Sequence, residues 1–303
     1  MALASIVSLT TGRTIVPQYV GRNTQMDELS GIDWEDAFSN AAYIKDAMRY
    51  PPQWKEQAHS FRDRANCDLN ITYGDHPREV FDLFWPETKP TGLIIFIHGG
   101  YWVDFDKSSW SHLAEGAISN GWAVAIPSYP LAPEMRIPQI TQSVTRSIEA
   151  AAGLVSGPIR LTGHSAGGHL ATRMVCSDTS LSAEVSKRID KVVSISGVHD
   201  LRPLRAHGMN ENLRLSPGEA IAESPALNSL LRSVDVTAWV GALERPEFLR
   251  QSALLIEAWT DLTYPCRLVV EEARHHFDVV DGLCDPNHRL TRILVDTDIL
   301  TNT

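Results

Sequence analysis

The residues whose types and spacing could do chemistry begin with Gly163-His164-Ser165-Ala166-Gly167. This stretch follows the apolar run Ile159-Arg160-Leu161-Thr162 and precedes a helix-prone segment from Gly168 to Val175, so it reads as a serine displayed on a tight strand-to-helix turn. Glycine is needed on both sides of such a serine, because a Cβ there would collide with the neighbouring strand and helix. A serine presented this way can attack a carbonyl. The N–H of Ala166, opening the helix, would face the oxygen that becomes negative, where the helix dipole also favours charge. About one strand-helix unit upstream, Ile94-Ile95-Phe96-Ile97-His98-Gly99-Gly100-Tyr101-Trp102 supplies a second glycine corner after an apolar run, in the place of an oxyanion loop. Together the two stretches point to acyl transfer through Ser165, with the N–H groups of Gly99, Gly100 and Ala166 as oxyanion donors. Ordinary strand-turn-helix packing also uses glycine corners, and that reading does not exclude the catalytic one.

A serine nucleophile needs a base and a group to orient it, since its free hydroxyl is hardly ionised near neutral pH. In parallel α/β enzymes with such an elbow the chain order is serine, acid, histidine. His275 and His276 follow the last strand-like run; adjacent residues cannot both point at the serine, and His276 is favoured because it opens Phe277-Asp278-Val279-Val280-Asp281, which reads as a helix start. For the acid, Glu244 follows the strand-like Val236 to Leu243. Glu247, just inside the next helix, and Asp200, after the preceding strand, are the alternatives. Tyr101 and Trp102 are expected to line an acyl or aryl pocket, although Trp102 suits the core equally well. His169, one turn past Ser165, is expected to face back toward the elbow as a third substrate-side residue. His98 suits a hydrogen bond to the loop backbone better than proton transfer.

These side chains require elements to position them. The first twenty-five residues carry little periodic pattern and read as an arm or flexible leader. From Met26 to Arg64 the composition turns helical, with Trp34, Phe38, Ala42, Ile44 and Met48 on one face, a break at Pro51-Pro52 and a resumption from Trp54 to Phe61; these helices are expected to cover the sheet or the site mouth. Cys67 to Tyr73 and Val80 to Trp85 read as a hairpin, and Leu93 to Ile97 as a strand buried on both faces. Beyond it come a crossover helix over Ser108 to Asn120, a strand over Trp122 to Ile126, a helix over Ile140 to Leu154 and the strand entering the elbow. Ile189 to Ser196, Val236 to Val240 and Arg267 to Val270 continue the sheet, with helices over Pro246 to Trp259 and Asn287 to Val295. This alternation predicts an α/β fold with a mostly parallel central sheet and helices on both faces. Residues 198–233 break the rhythm with Pro203, Gly208, Pro217, Gly218 and Pro225 and read as a small cap insertion near the strand ends. The domain reading is an arm and covering helices over 1–64 and a catalytic domain over 65–303.

At 303 residues the chain can bury a large core, and 43% hydrophobic with 21% charged residues is ordinary for a soluble globular protein. A net charge of -10, without clustered Lys and Arg, argues against nucleic acid. Cys67, Cys176, Cys266 and Cys284 are scattered with no C-x-x-C, so neither zinc nor a disulfide framework is indicated and a reducing cytoplasm fits. No run approaches the ~18 apolar residues of a membrane helix. No metal and no cofactor are expected. The partner is a small acyl amide or ester, with no nucleic acid, no membrane, and homodimer formation left open.

The motifs add up to a resemblance. His98-Gly99-Gly100-Tyr101-Trp102, Gly163 to Leu170, Ser196-Gly197-Val198-His199-Asp200-Leu201, Arg245-Pro246-Glu247-Phe248 and His276 to Val280 resemble the kynurenine formamidase (arylformamidase) branch of the α/β-hydrolases over roughly residues 66–295. The His-Gly-Gly-x-Trp form carries most of it. The resemblance implies an α/β-hydrolase fold, Ser165, Glu244 and His276 as the triad, and N-formylkynurenine as substrate, within tryptophan catabolism. Family members commonly place Asp where this chain has Glu244. A short-chain carboxylesterase uses the same machinery, and a non-catalytic binding protein on a hydrolase scaffold is the reading from another class. The intact nucleophile, oxyanion loop and histidine argue against the last.

Overall fold

Unbroken apolar runs become the middle of one eight-stranded sheet. In the computed structural model, which describes residues 31–260 and 265–296, the strands are β1 Cys67–Thr72, β2 Val80–Phe84, β3 Leu93–Ile97, β4 Ala123–Pro127, β5 Ile159–His164, β6 Ile189–Ile195, β7 Asp235–Gly241 and β8 Cys266–Glu271. Their order is β1-β2-β4-β3-β5-β6-β7-β8. The hairpin β1-β2 is antiparallel and β2 runs antiparallel to β4, whereas every pairing from β4 to β8 is parallel. The leader expected over the first twenty-five residues lies outside the described residues.

All five residues of β3 are buried, because helices cover both faces. Leu93, Ile95 and Ile97 pack in one core with the helices Ile137–Leu154, Ala166–Arg173 and Pro246–Thr260. Ile94 and Phe96 face the other way, toward Tyr50–Arg62 and Arg289–Val295. Burying each such side chain contributes about 1.5–3 kcal/mol, so this alternation fixes the register of the central strands. The strand order reverses at β3, with β4 on one side and β5 on the other. That switch point opens a crevice at the carboxyl ends of β3 and β5, where the two glycine corners lie.

Several local expectations change. Pro51 and Pro52 do not break the helical region: they occupy the first turn of Tyr50–Arg62, where a missing N–H costs nothing. The crossover expected as one helix over Ser108 to Asn120 is instead two 3₁₀ turns, Lys107–Ser109 and Ser111–Ala114, followed by the short helix Glu115–Ser119. Trp110 sits between them with φ -127, outside helical space, and its ring is buried in the core beside Trp54 and Phe96. The segment after His276 is a series of turns leading into the 3₁₀ helix Asp281–Cys284, and the last helix begins at Arg289 rather than Asn287. Residues 198–233 hold the short pieces Arg202–Ala206, Asn210–Leu213, Pro217–Ala222 and Pro225–Leu227. Among the described residues, no helix is long and apolar enough to cross a membrane.

Candidate active site

Ser165 stands between β5 and the helix Ala166–Arg173 with φ 56 and ψ -118, a conformation non-glycine residues rarely adopt. Strain of this kind costs about 1–3 kcal/mol and persists only where the surroundings over-determine it. The surroundings here are backbone. A Cβ on Gly163 would lie 2.3 Å from the Gly167 carbonyl oxygen, and one on Gly167 would lie 1.9 Å from that of Ile97. The Ser165 N–H is held by the Ile195 carbonyl at 2.8 Å, which ties the turn to the next strand.

Gly99 presses against the same turn: a Cβ there would meet the His164 carbonyl oxygen at 2.7 Å and the Ser165 Cβ at 3.1 Å. Gly100 has φ 106 and is followed by Tyr101 and Trp102 at φ 50 and 61, so the loop curls tightly, its Gly100 carbonyl accepting from the N–H groups of Val103 and Asp104. His98 behaves as a loop brace. Its Nδ1 donates to the Gly99 carbonyl at 2.7 Å, its ring stacks on Tyr129 at 4.3 Å, and burial lowers its pKa to about 4, so it is neutral.

His276 Nδ1 donates to Glu244 Oε2 at 2.6 Å. The other carboxylate oxygen accepts from the Gly241 N–H at 2.8 Å and from the Ser196 hydroxyl, so a carboxylate with no exposed side-chain surface has partners on both oxygens. Phe248 packs on the imidazole at 4.4 Å. His164, the residue before Ser165, donates from Nε2 to the His276 carbonyl at 2.9 Å, and burial, with the nearby His276 adding to it, holds its own pKa well below the usual range. It therefore braces His276 without placing a second cation beside it.

The alternatives are occupied elsewhere. His275 bonds through Nε2 to the Tyr50 hydroxyl at 3.0 Å, and its Nδ1 lies 3.1 Å from Asp278 Oδ1. Asp200 takes a two-pronged contact from Arg202, and Glu247 takes one from Arg250 plus a bond from Gln251. Ser165, His276, His164, Gly100 and Tyr101 border one cavity of about 380 Å³, within the ~300–1,000 Å³ span of small-molecule sites. Its walls are largely aromatic, from Phe38, Trp54, Phe105, Trp110 and Phe277. Trp54 lies tilted against Trp110 at 4.7 Å and meets Phe277 edge-on at 5.4 Å.

Two expected substrate-side residues are corrected. Trp102 and His169 have no exposed surface and lie beneath the loop, ring against ring at 5.1 Å. Trp102 is fully buried in the core, and His169 donates from Nε2 to the Glu223 carbonyl at 2.7 Å while burial lowers its pKa to about 3. Tyr101 does border the cavity, with its hydroxyl donating to the Phe38 carbonyl at 2.5 Å. The roof was not anticipated in detail: of residues 198–233 only His207 and Met209 reach the cavity, and Glu35, Phe38 to Ala41, Pro51 and Trp54 supply the rest. Ser196 was also missed. Its signal was its place after β6, the neighbour of β5, and it too carries a positive φ of 52.

The sheet order, its parallel connections and the elbow at the switch point define the class: the protein is an α/β-hydrolase. Solved structures agree. A Silicibacter protein to which thioesterase activity is provisionally ascribed is 47% identical, with TM-score 0.83 over 88% of this chain and 100% of its own. A hyperthermophilic esterase of Pyrobaculum calidifontis, at 16% identity and TM-score 0.64 over 82% of this chain and 92% of its own, shares the fold. The BD-FAE family model matches residues 81–252, and the chain belongs to that family. It is also 29% identical to the kynurenine formamidase of Salmo salar over 88% of this chain and 93% of that protein. The chain is thus a member of a hydrolase family, similar to formamidases and esterases.

Proposed function

We propose that the protein is a serine hydrolase that removes a small acyl group, formyl above all, from an aryl amine through an acyl-enzyme. The observation that carries this reading is Ser165 on its left-handed turn beside the buried His276–Glu244 pair, both serine and histidine bordering one aromatic cavity. Ser165 Oγ attacks the acyl carbon and gives its proton to His276 Nε2. The oxyanion accepts from the N–H groups of Gly99, Gly100 and Ala166. As the C–N bond breaks, His276 returns the proton to the departing amine, leaving an ester on Ser165. Water then attacks that ester with His276 as base, releasing the acid and restoring the hydroxyl. Glu244 holds the imidazole in one tautomer and stabilises its cation.

The aromatic walls suit an aryl leaving group, and the tight Gly99–Gly100–Tyr101 corner suits a short acyl group. The likeness to kynurenine formamidases supports N-formylkynurenine as the first substrate to assay. A second reading, a short-chain ester or thioester hydrolase, is favoured by the description given to the 47% identical Silicibacter relative. Measuring kcat/KM for N-formylkynurenine beside phenyl thioacetate and p-nitrophenyl acetate, butyrate and octanoate separates them. Each methylene that a tight pocket rejects changes discrimination by about 1–3 kcal/mol, so activity falls steeply from formyl or acetyl to longer chains. Tyr101→Ala flattens that slope. An octanoate preference in the unaltered protein would undo the formamidase reading.

A further inference from the structure

The segment that roofs the cavity also grips both loops that carry the His276–Glu244 pair. Glu244 is followed by Arg245, whose guanidinium donates to the Asp36 carbonyl at 3.2 Å, pairs with the Asp36 carboxylate and lies over the Tyr43 ring at 3.7 Å. Tyr43 in turn donates its hydroxyl to Asp36, and the Asp36 N–H is capped by Asp33. His276 is preceded by His275, whose Nε2 bonds to the Tyr50 hydroxyl while its ring meets Tyr50 edge-on at 5.4 Å. Tyr50 also packs against Phe277 at 5.7 Å. Between these two anchors, Phe38, Asn40 and Ala41 face the cavity.

We infer that residues 33–54 are a positioning strap: the Asp36–Arg245 and Tyr50–His275 contacts set the geometry of Glu244 and His276, and a leaving group seated under Phe38 and Asn40 tightens both. Neither Asp36 nor Tyr50 borders the reacting atoms, so each acts through its neighbour. The part-exposed Asp36–Arg245 pair adds little to global stability and the part-buried Tyr50–His275 bond about 1 kcal/mol, yet a displacement of about 1 Å in a catalytic group can cost up to ~10²-fold in rate. Loss of a strap contact should therefore appear in kcat rather than KM.

This inference rests on the serine-hydrolase reading, and the test separates the two. Tyr50→Phe removes one hydroxyl and keeps the ring; Asp36→Asn removes one charge. Hydrogen–deuterium exchange on the full chain should rise over residues 273–281 in Tyr50→Phe and over 241–248 in Asp36→Asn. In each variant kcat should fall by about tenfold with KM nearly unchanged. Met48→Ala, at a position 82% exposed on the same segment, should change neither. If Asp36→Asn does not fold, Arg245→Lys reads the same contact from the other side. Unaltered exchange with unaltered kcat, or a loss confined to KM, would overturn the strap while leaving the hydrolase reading intact. An active Ser165→Ala would sink the hydrolase reading whatever the exchange data show.

Discussion

Two histidines stand side by side, yet only His276 shares the cavity with Ser165 and pairs with a fully buried carboxylate. His276 faces a carboxylate fixed by Ser196 and Gly241, while His275 is spent on Tyr50. His276→Ala should accordingly lower kcat by on the order of 10³-fold or more, and His275→Ala should lose much less, through loosening of the loop. Glu244→Gln should also cost orders of magnitude in kcat with the fold retained. Asp200→Asn and Glu247→Gln should do the opposite, lowering stability with kcat of the folded fraction nearly normal: Glu247→Gln strips the buried Arg250 of its partner, which costs about 3–5 kcal/mol, and Asp200→Asn costs less because Arg202 is part-exposed. Steady-state kinetics beside urea unfolding of the five variants checks the pattern. A silent Glu244→Gln would move the orienting group elsewhere.

The elements themselves turn on where a methyl group fits. Gly167→Ala must push a Cβ into the Ile97 carbonyl, so it should prevent formation of the elbow and fail to give soluble folded protein. Gly153, inside the helix Ile137–Leu154, has nothing within 4 Å, and Gly153→Ala should stabilise by up to about 1 kcal/mol. Thermal melts of both proteins decide this, and a well-folded Gly167→Ala would contradict the packing described. Much at this scale was legible in the sequence. Leu93–Ile97 and the elbow announce themselves because a strand covered on both faces has no polar positions and a tight turn admits only glycine. The broken crossover at Trp110 and the turns after His276 were not legible, since a bulky residue that leaves helical space for the core carries the same local pattern as one that stays in a helix. The roof was half legible: the spacing of Trp34, Phe38 and Trp54 shows that a face is buried, but not that it is buried over the serine.

On the scale of the whole molecule, burial of neutral histidines sets the response to acid. Burial lowers the pKa of His98 and His112 to about 4 and of His169 and His199 to about 3, from an ordinary 6.5. Below pH 6.5 the unfolded chain takes up protons at these sites and the native one does not, so stability falls as pH drops from 6.5 toward 4. Asp281 opposes this: burial raises its pKa to about 6, so it binds a proton in the native state first and gains stability over the same interval. With His164, likewise held well below the usual range, five groups outweigh one. The urea midpoint should be lower at pH 5 than at pH 7.5, and an unchanged or higher midpoint would show that these histidines are not buried as described.

The central claim is that one serine carries the chemistry. Its most direct test is intact-protein mass spectrometry with peptide mapping after treatment with a p-nitrophenyl dialkyl phosphate, read beside residual activity. The account predicts one phosphoryl group per chain, bound to Ser165, with activity lost in proportion to label and no label on Ser165→Ala. Full activity in the labelled protein, or stoichiometric label at another residue with loss of activity, would contradict it.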